Sequence, residues 1–185
     1  MSVGDRLPLP DVVLGFDDYD APAARLAARL NVRYAKVAVL RFPAGESRVT
    51  VPAPLPARVA MCRSLDHPND KLVETILAAE AARQNGARSI SLIAPYLCYM
   101  RQDIAFNPGE AISQRIVGRW LADRFDAVVT VDPHLHRVAT LAEAVPAADA
   151  VALSAAALFG AYLQEREPDA LLVGPDEESA QWLAA

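Results

Sequence analysis

The chain has 185 residues, with 18 Lys and Arg against 23 Asp and Glu, and a net charge of −5 with no local block of basic residues; a nucleic-acid partner is therefore not expected. Hydrophobic residues make up 53% but aromatics only 6%, and no apolar run approaches the ~18–20 residues that span a bilayer, so no membrane association is expected. The N-terminus lacks the apolar core of a signal peptide, and the only two cysteines, Cys62 and Cys98, stand alone, which together predict a cytoplasmic protein with reduced thiols.

In chain order, Asp11 to Phe16 (DVVLGF) reads as a first strand, and the acidic DDYD that follows can cap a helix from about Ala21 to Leu30. Lys36 to Phe42 reads as a second strand and Ser47 to Val51 as a third, with PAGE as the turn between them. The proline-rich stretch Val51–Pro56 is a surface connection, and Arg58 to Arg63 is the next buried strand. Asn69 to Asn85 predicts the longest helix, with Leu72, Val73, Ile76, Leu77 and Glu80 on its inward stripe and Asn85-Gly86 as its stop. Ile90 to Ala94 is a buried strand. From about Glu110 a helix follows with Ile112, Ile116, Val117, Trp120 and Leu121 on one face. Ala127 to Val131 is a β-branched strand, and Asp132–Arg137 (DPHLHR) opens a loop or a helix start. A last unit comprises a strand near Ala148–Leu153, a helix over about Ser154–Arg166 and a strand at Ala170–Val173. Strands alternating with helices predict an α/β fold, parallel sheets covered on both faces. The chain then runs into GPDEESAQWLAA, a helix start with no further strand, so the sequence reads as part of something longer.

Three strand ends carry residues suited to phosphates and metal. Arg101-Gln102-Asp103 follows the Ile90–Ala94 strand, where α/β sheets bind ligands, and offers a rigid guanidinium fork beside an amide that can bond a phosphate or a base. Asp132-x-His134 follows the next strand, and a carboxylate and imidazole at that spacing can hold a divalent ion directly or through water. Gly174-Pro175-Asp176 ends the last predicted strand and starts a helix, a junction that offers N–H groups to an anion. Each has a plainer reading: a solvated loop, a helix-start side chain (the reading preferred for His136), and dipole complementation by Asp176-Glu177-Glu178. His134-x-His136 also suits the metal motif of amidohydrolases, but those need a barrel longer than this chain.

The segment PYLCYMRQD (Pro95–Asp103), followed by NPGE (Asn107–Glu110), resembles the motif Pro-Tyr-x-x-Tyr-x-Arg-Gln-Asp of ribose-phosphate diphosphokinases, and the NPGE wording is closer to their archaeal-type branch. The similarity runs from roughly Asp11 to Gln181. It implies two phosphoribosyltransferase-type (type I) parallel-sheet domains, a first over residues 1–146 with the ATP motifs and an incomplete second over 147–185. It implies transfer of diphosphate from Mg-ATP to the 1-hydroxyl of ribose 5-phosphate, giving phosphoribosyl diphosphate and AMP. Phe42, Glu46, Arg101, Gln102 and His134 would then contact ATP, and Asp132, His134 and Asp176 would hold Mg2+. The turn Phe42–Glu46 resembles one that reaches the adenine in a neighbouring subunit's site, so a homo-oligomer, a dimer or higher, is expected.

Ala44 stands where the family's turn has aspartate, and Glu177 and Glu178 stand where its diphosphate loop has small residues. Neither the catalytic Lys and Arg loop nor the acidic Thr-Gly loop for ribose 5-phosphate is found, so no catalytic residue is assigned. These departures keep open a non-catalytic, nucleotide-binding regulatory homologue. A phosphoribosyltransferase that consumes phosphoribosyl diphosphate suits the Arg-Gln-Asp and Asp-x-His motifs less well.

Overall fold

A computed structural model describes residues 7–174 and 179–184. Contacts divide the chain into two compact units, Met1–Ala152 and Leu153–Ala185. In the first, β1 (Val12–Gly15), β2 (Arg33–Lys36), β5 (Arg58–Cys62), β6 (Ser89–Ile93), β7 (Ala127–Val131) and β8 (Asp149–Leu153) form one sheet in the order β2-β1-β5-β6-β7-β8. The pairs from β2 through β7 are parallel. Between β2 and β5 the chain leaves this sheet for an antiparallel hairpin, β3 (Ala38–Arg41) and β4 (Ser47–Thr50).

Side chains alternate between the two faces, and both faces are covered. The register aligns Leu14 with Met61 and Met61 with Leu92, and these join the larger apolar cluster. Val13, Ala60 and Cys62 face the other way, where helix α1 (Asp20–Leu30) packs through Ala23 and Ala27. That second face is built of small residues, so α1 lies close. A Cβ on Gly15 would come within 2.6 Å of the Tyr34 hydroxyl and 2.8 Å of the Ala23 Cβ. The acidic residues before α1 do not cap it: Asp17 and Asp20 pair with Lys36 instead.

Four expectations from the sequence are corrected. Lys36–Phe42 is not one strand. Val37 is buried, donates its N–H to the Gly15 carbonyl at 2.8 Å, and marks the corner where β2 gives way to the hairpin. Helix α2 (Pro68–Gln84) buries Leu72, Glu74, Thr75, Ala78, Ala79 and Ala82, whereas Val73 and Leu77 from the predicted inward stripe are 57% and 42% exposed. Alanine brings the helix close to its neighbours, so Val73 and Leu77 are left outside. Helix α3 (Ser113–Ala122) starts later than Glu110, because Glu110 is engaged in its own turn, accepting from the Phe106 N–H at 2.8 Å and from the Asn107 amide. Its Val117 and Leu121 are buried as expected, but Ile116 and Trp120 are 43% and 53% exposed. The exposed residues of α2 and α3 meet across an apolar cleft of about 370 Å³, lined by Val73, Ile76, Ile116 and Trp120, with Tyr99 and Asn69 also in its wall.

The fourth correction lies in the second unit. Helix α5 (Ala156–Arg166) forms near its expected limits, but Ala170–Val173 is not a strand, with Leu171 88% and Val173 79% exposed. A strand needs a partner for its N–H and C=O groups, and among the described residues of this unit there is none. Helices α4 (Leu141–Ala144) and α6 (Ala180–Leu183) are short additions.

Burial raises the thiol pKa of Cys62 to about 11 and that of Cys98 to about 12. Both thiols are therefore protonated and shielded at pH 8, since the thiolate is the reactive form. Neither should react with an aromatic disulfide reagent until the chain is unfolded. Rapid labelling of either in the native protein would contradict this arrangement.

Candidate functional site

Strands β6 and β7 end side by side and are stitched together beyond their last paired residues. The Ala94 N–H donates to the Val129 carbonyl at 2.9 Å, and the Pro95 carbonyl accepts from the Val131 N–H at 3.2 Å and the Thr130 hydroxyl at 3.3 Å. The loops after the two strands therefore emerge together at the carboxyl edge of the sheet, the ligand-binding edge of α/β folds.

The first loop is held by its buried members. Leu97, Cys98 and Met100 pack into the core, and Tyr99, with φ of 61°, turns out to donate its hydroxyl to Asn69 of α2. Gln114, buried in the first turn of α3, donates its amide to the Met100 carbonyl at 3.1 Å and its backbone N–H to the Gln102 carbonyl at 3.1 Å. The Gln102 side chain donates to the Ile104 carbonyl at 3.1 Å. With its neighbours tied down on both sides, Arg101 is presented to solvent.

Asp103 connects this loop to the next one. Its side chain is 1% exposed, and Oδ1 accepts from Arg137 Nη1 at 2.8 Å. Its Oδ2 is buried with no hydrogen-bond partner. Arg137 belongs to the loop after β7, and its side chain is 49% exposed. That loop begins at Asp132, with φ of 42°, a left-handed conformation that aspartate tolerates better than most residues. No helix starts at His136. Its ring instead lies against that of His134, with centroids 3.6 Å apart and planes tilted by 38°. Replacing Arg137 with Ala should destabilise the chain by about 1 to 3 kcal/mol, because it strands a buried carboxylate. Asp103→Asn with Arg137→Ala together should recover part of that loss in thermal denaturation; equal stability of Arg137→Ala and the parent would show that the pair does not hold the loops.

The structure thus brings Arg101 and Gln102 into the same edge of the sheet as Asp132 and His134. Phe42 and Glu46 occur on the exposed tip of the β3–β4 hairpin, where the Phe42 N–H donates to the Glu46 carbonyl at 2.8 Å and Gly45 has φ of 91°. Asp176, with Glu177 and Glu178, lies outside the described residues. Among the described residues no group of three or more His, Cys, Asp or Glu side chains could cage a metal. Asp132 and His134 offer one carboxylate and one imidazole at this edge of the sheet.

Two sets of residues were not assigned from sequence. Asp103, Arg137 and Gln114 fix the loops, and a buried cluster fixes the hairpin. In that cluster Arg63, 2% exposed, donates Nη2 to Glu74 Oε2 at 2.7 Å and Nε to Asp18 Oδ1 at 3.0 Å, with its guanidinium 4.2 Å from the Phe16 ring centroid. Lys71 joins through Asp18 at 3.1 Å and Asp66 at 2.9 Å. The cluster sits where β1 and β5 are neighbours and the order of strand addition reverses. Only Asp18 and Arg63, charged residues shortly after β1 and β5, hint at it in the sequence.

Residues 12–123 match the family model described as the N-terminal domain of ribose phosphate pyrophosphokinase. Among curated proteins, the ribose-phosphate pyrophosphokinase of Methanopyrus kandleri is 43% identical over 157 residues, covering 83% of this chain and 52% of that protein. The protein of that name from Halobacterium salinarum is 36% identical over 154 residues, covering 83% and 53%. The chain therefore spans about half the length of the curated relatives it matches. A crystal structure of phosphoribosylpyrophosphate synthetase from Mycobacterium smegmatis shares the fold, with a TM-score of 0.71 at 23% identity over 86% of this chain and 53% of that one. Among the described residues no helix is long and apolar enough to cross a membrane. With most of its sheet inside the matched segment and its similarity carried mainly by archaeal relatives, the chain belongs to the ribose-phosphate pyrophosphokinase family, of which it contains the N-terminal domain.

Proposed function

We propose that this chain supplies the nucleotide-binding half of a ribose-phosphate diphosphokinase, also called ribose-phosphate pyrophosphokinase. The observation that carries this reading is the joining of two strand-end loops, Arg101-Gln102 and Asp132-x-His134, through the ion pair of buried Asp103 with half-exposed Arg137. An arginine fork facing solvent beside a carboxylate and an imidazole suits a triphosphate with its divalent ion. Arg101 and Gln102 bind the phosphates. Asp132 and His134, with Asp176, would hold Mg2+, which would supply charge neutralisation at the phosphoryl oxygens. Phe42 stacks on the base held in a neighbouring subunit's site, and Glu46 accepts from it. The O1 hydroxyl of ribose 5-phosphate attacks the β-phosphorus of ATP as the bond from that phosphorus to the α-phosphate oxygen breaks, which releases AMP. The hydroxyl proton passes to solvent or to a base not assigned in this chain. In this reading the protein serves nucleotide biosynthesis in the cytoplasm and binds neither nucleic acid nor membrane.

The test is release of AMP from ATP, with magnesium, by the full-length gene product; the release must depend on ribose 5-phosphate. Binding of Mg-ATP without any such release would favour the second reading, a regulatory homologue. Ala44 favours that alternative, because it removes a polar group from the exposed turn.

A homo-oligomer is part of the same proposal. The hairpin tip is exposed, and so are Val73, Leu77, Ile116 and Trp120 on α2 and α3. Clustered apolar exposure of this kind marks association surfaces. Light scattering at micromolar concentration should return at least a dimeric mass; a monomer would contradict it.

A further inference from the structure

Glu74 is on the buried side of α2, 1% exposed, and its two oxygens have separate partners. Oε2 accepts from Arg63. Oε1 accepts from Arg41 Nε at 2.9 Å and from the Ser47 hydroxyl at 3.0 Å. Arg41 immediately precedes Phe42, and Ser47 immediately follows Glu46. One carboxylate oxygen therefore holds both feet of the turn that carries Phe42 and Glu46.

The pivot is itself fixed, since Arg63 is pinned by Asp18 and by the Phe16 ring. Burial pushes the Glu74 carboxyl up, but the donors from Arg63, Arg41 and Ser47 outweigh it and hold the group below the usual carboxylate range. The hairpin also rests on apolar contacts, Val39 and Val49 against the main core. Those contacts are non-directional and fix no angle for the tip. Burying an ion pair is costly and adds little net stability, whereas it can specify one geometry.

We propose that Glu74 is a positioning residue that sets the reach of the Phe42–Glu46 turn toward the nucleotide base. This assignment rests on the nucleotide-binding reading above. The combined variant Arg41→Gln/Ser47→Ala releases the turn while leaving the Arg63–Glu74 pair intact, so the fold is kept; Glu74→Gln is the second variant.

Two measurements on the whole chain separate the possibilities. The first is amide hydrogen exchange at Phe42 and Gly45, whose N–H groups close the turn. The second is calorimetric affinity for Mg-ATP and, in parallel, for Mg-tripolyphosphate, which has no base. Exchange should quicken in both variants. Mg-ATP should weaken about five- to tenfold as a preorganised contact is loosened, while Mg-tripolyphosphate stays within about twofold. Unchanged exchange overturns the clamp. Faster exchange with unchanged Mg-ATP affinity overturns the link to the base, and equal weakening of both ligands reduces Glu74 to a structural role. If the parent chain binds neither ligand, the nucleotide-binding reading itself fails, and the exchange rates then decide on their own whether Glu74 clamps the turn.

Discussion

Gly118→Ala should destabilise the chain by about 2 to 4 kcal/mol, although alanine is the better helix former by about 1 kcal/mol. A Cβ at this position would fall 1.8 Å from the Ala144 carbonyl oxygen and 2.9 Å from its carbonyl carbon. That neighbour is backbone, in an element anchored by buried Leu141 and Ala144, so it cannot rotate away as a side chain could. Helix α3 would have to lift off α4. The lift reaches the site because Gln114, one turn earlier, bonds the Met100 and Gln102 carbonyls. Weaker Mg-ATP binding should accompany the fall in Tm. A Gly118→Ala chain as stable as its parent would show that α3 and α4 are not packed this closely.

Arg101→Ala should cost Mg-ATP binding about 1.5 to 3 kcal/mol, the range of a hydrogen bond to a charged group. In affinity that is roughly 10- to 150-fold. Because the contact proposed is to phosphate, Mg-tripolyphosphate should weaken by the same factor, which is the opposite of the outcome expected when the hairpin is loosened. Arg101→Lys should recover part of the loss, since it restores the charge without the fork. Stability should hardly change, because the side chain is exposed. Equal affinities for parent and Arg101→Ala by calorimetry would remove Arg101 from the site.

Local pattern alone determined much of this protein. Apolar runs bounded by turn residues located β1, β5, β6 and β7, and the motifs Arg101-Gln102-Asp103 and Asp132-x-His134 stood out because they follow buried strands at the ligand-binding edge of an α/β sheet. The family, too, was legible from PYLCYMRQD and NPGE, and residues 12–123 match the N-terminal domain model of that family. Tertiary structure decided what periodicity cannot encode. Helix α2 is apolar on more than one side and the apolar face of α3 is only partly covered, so their buried faces depended on close approach through Ala78, Ala79, Ala82 and Gly118 rather than on the largest side chains. The break at Val37 depended on a hydrogen bond to Gly15, 22 residues earlier, and Ala170–Val173 formed no strand, having no strand partner among the described residues. In sequence Glu74 and Arg137 carried no assigned role, Arg63 read only as the end of a buried strand, and Asp103 only as part of the Arg101-Gln102-Asp103 motif. They became anchors only because folding buried each carboxylate against a guanidinium 11 residues away for Arg63–Glu74 and 34 away for Asp103–Arg137, contacts set by how the strands are ordered in the sheet.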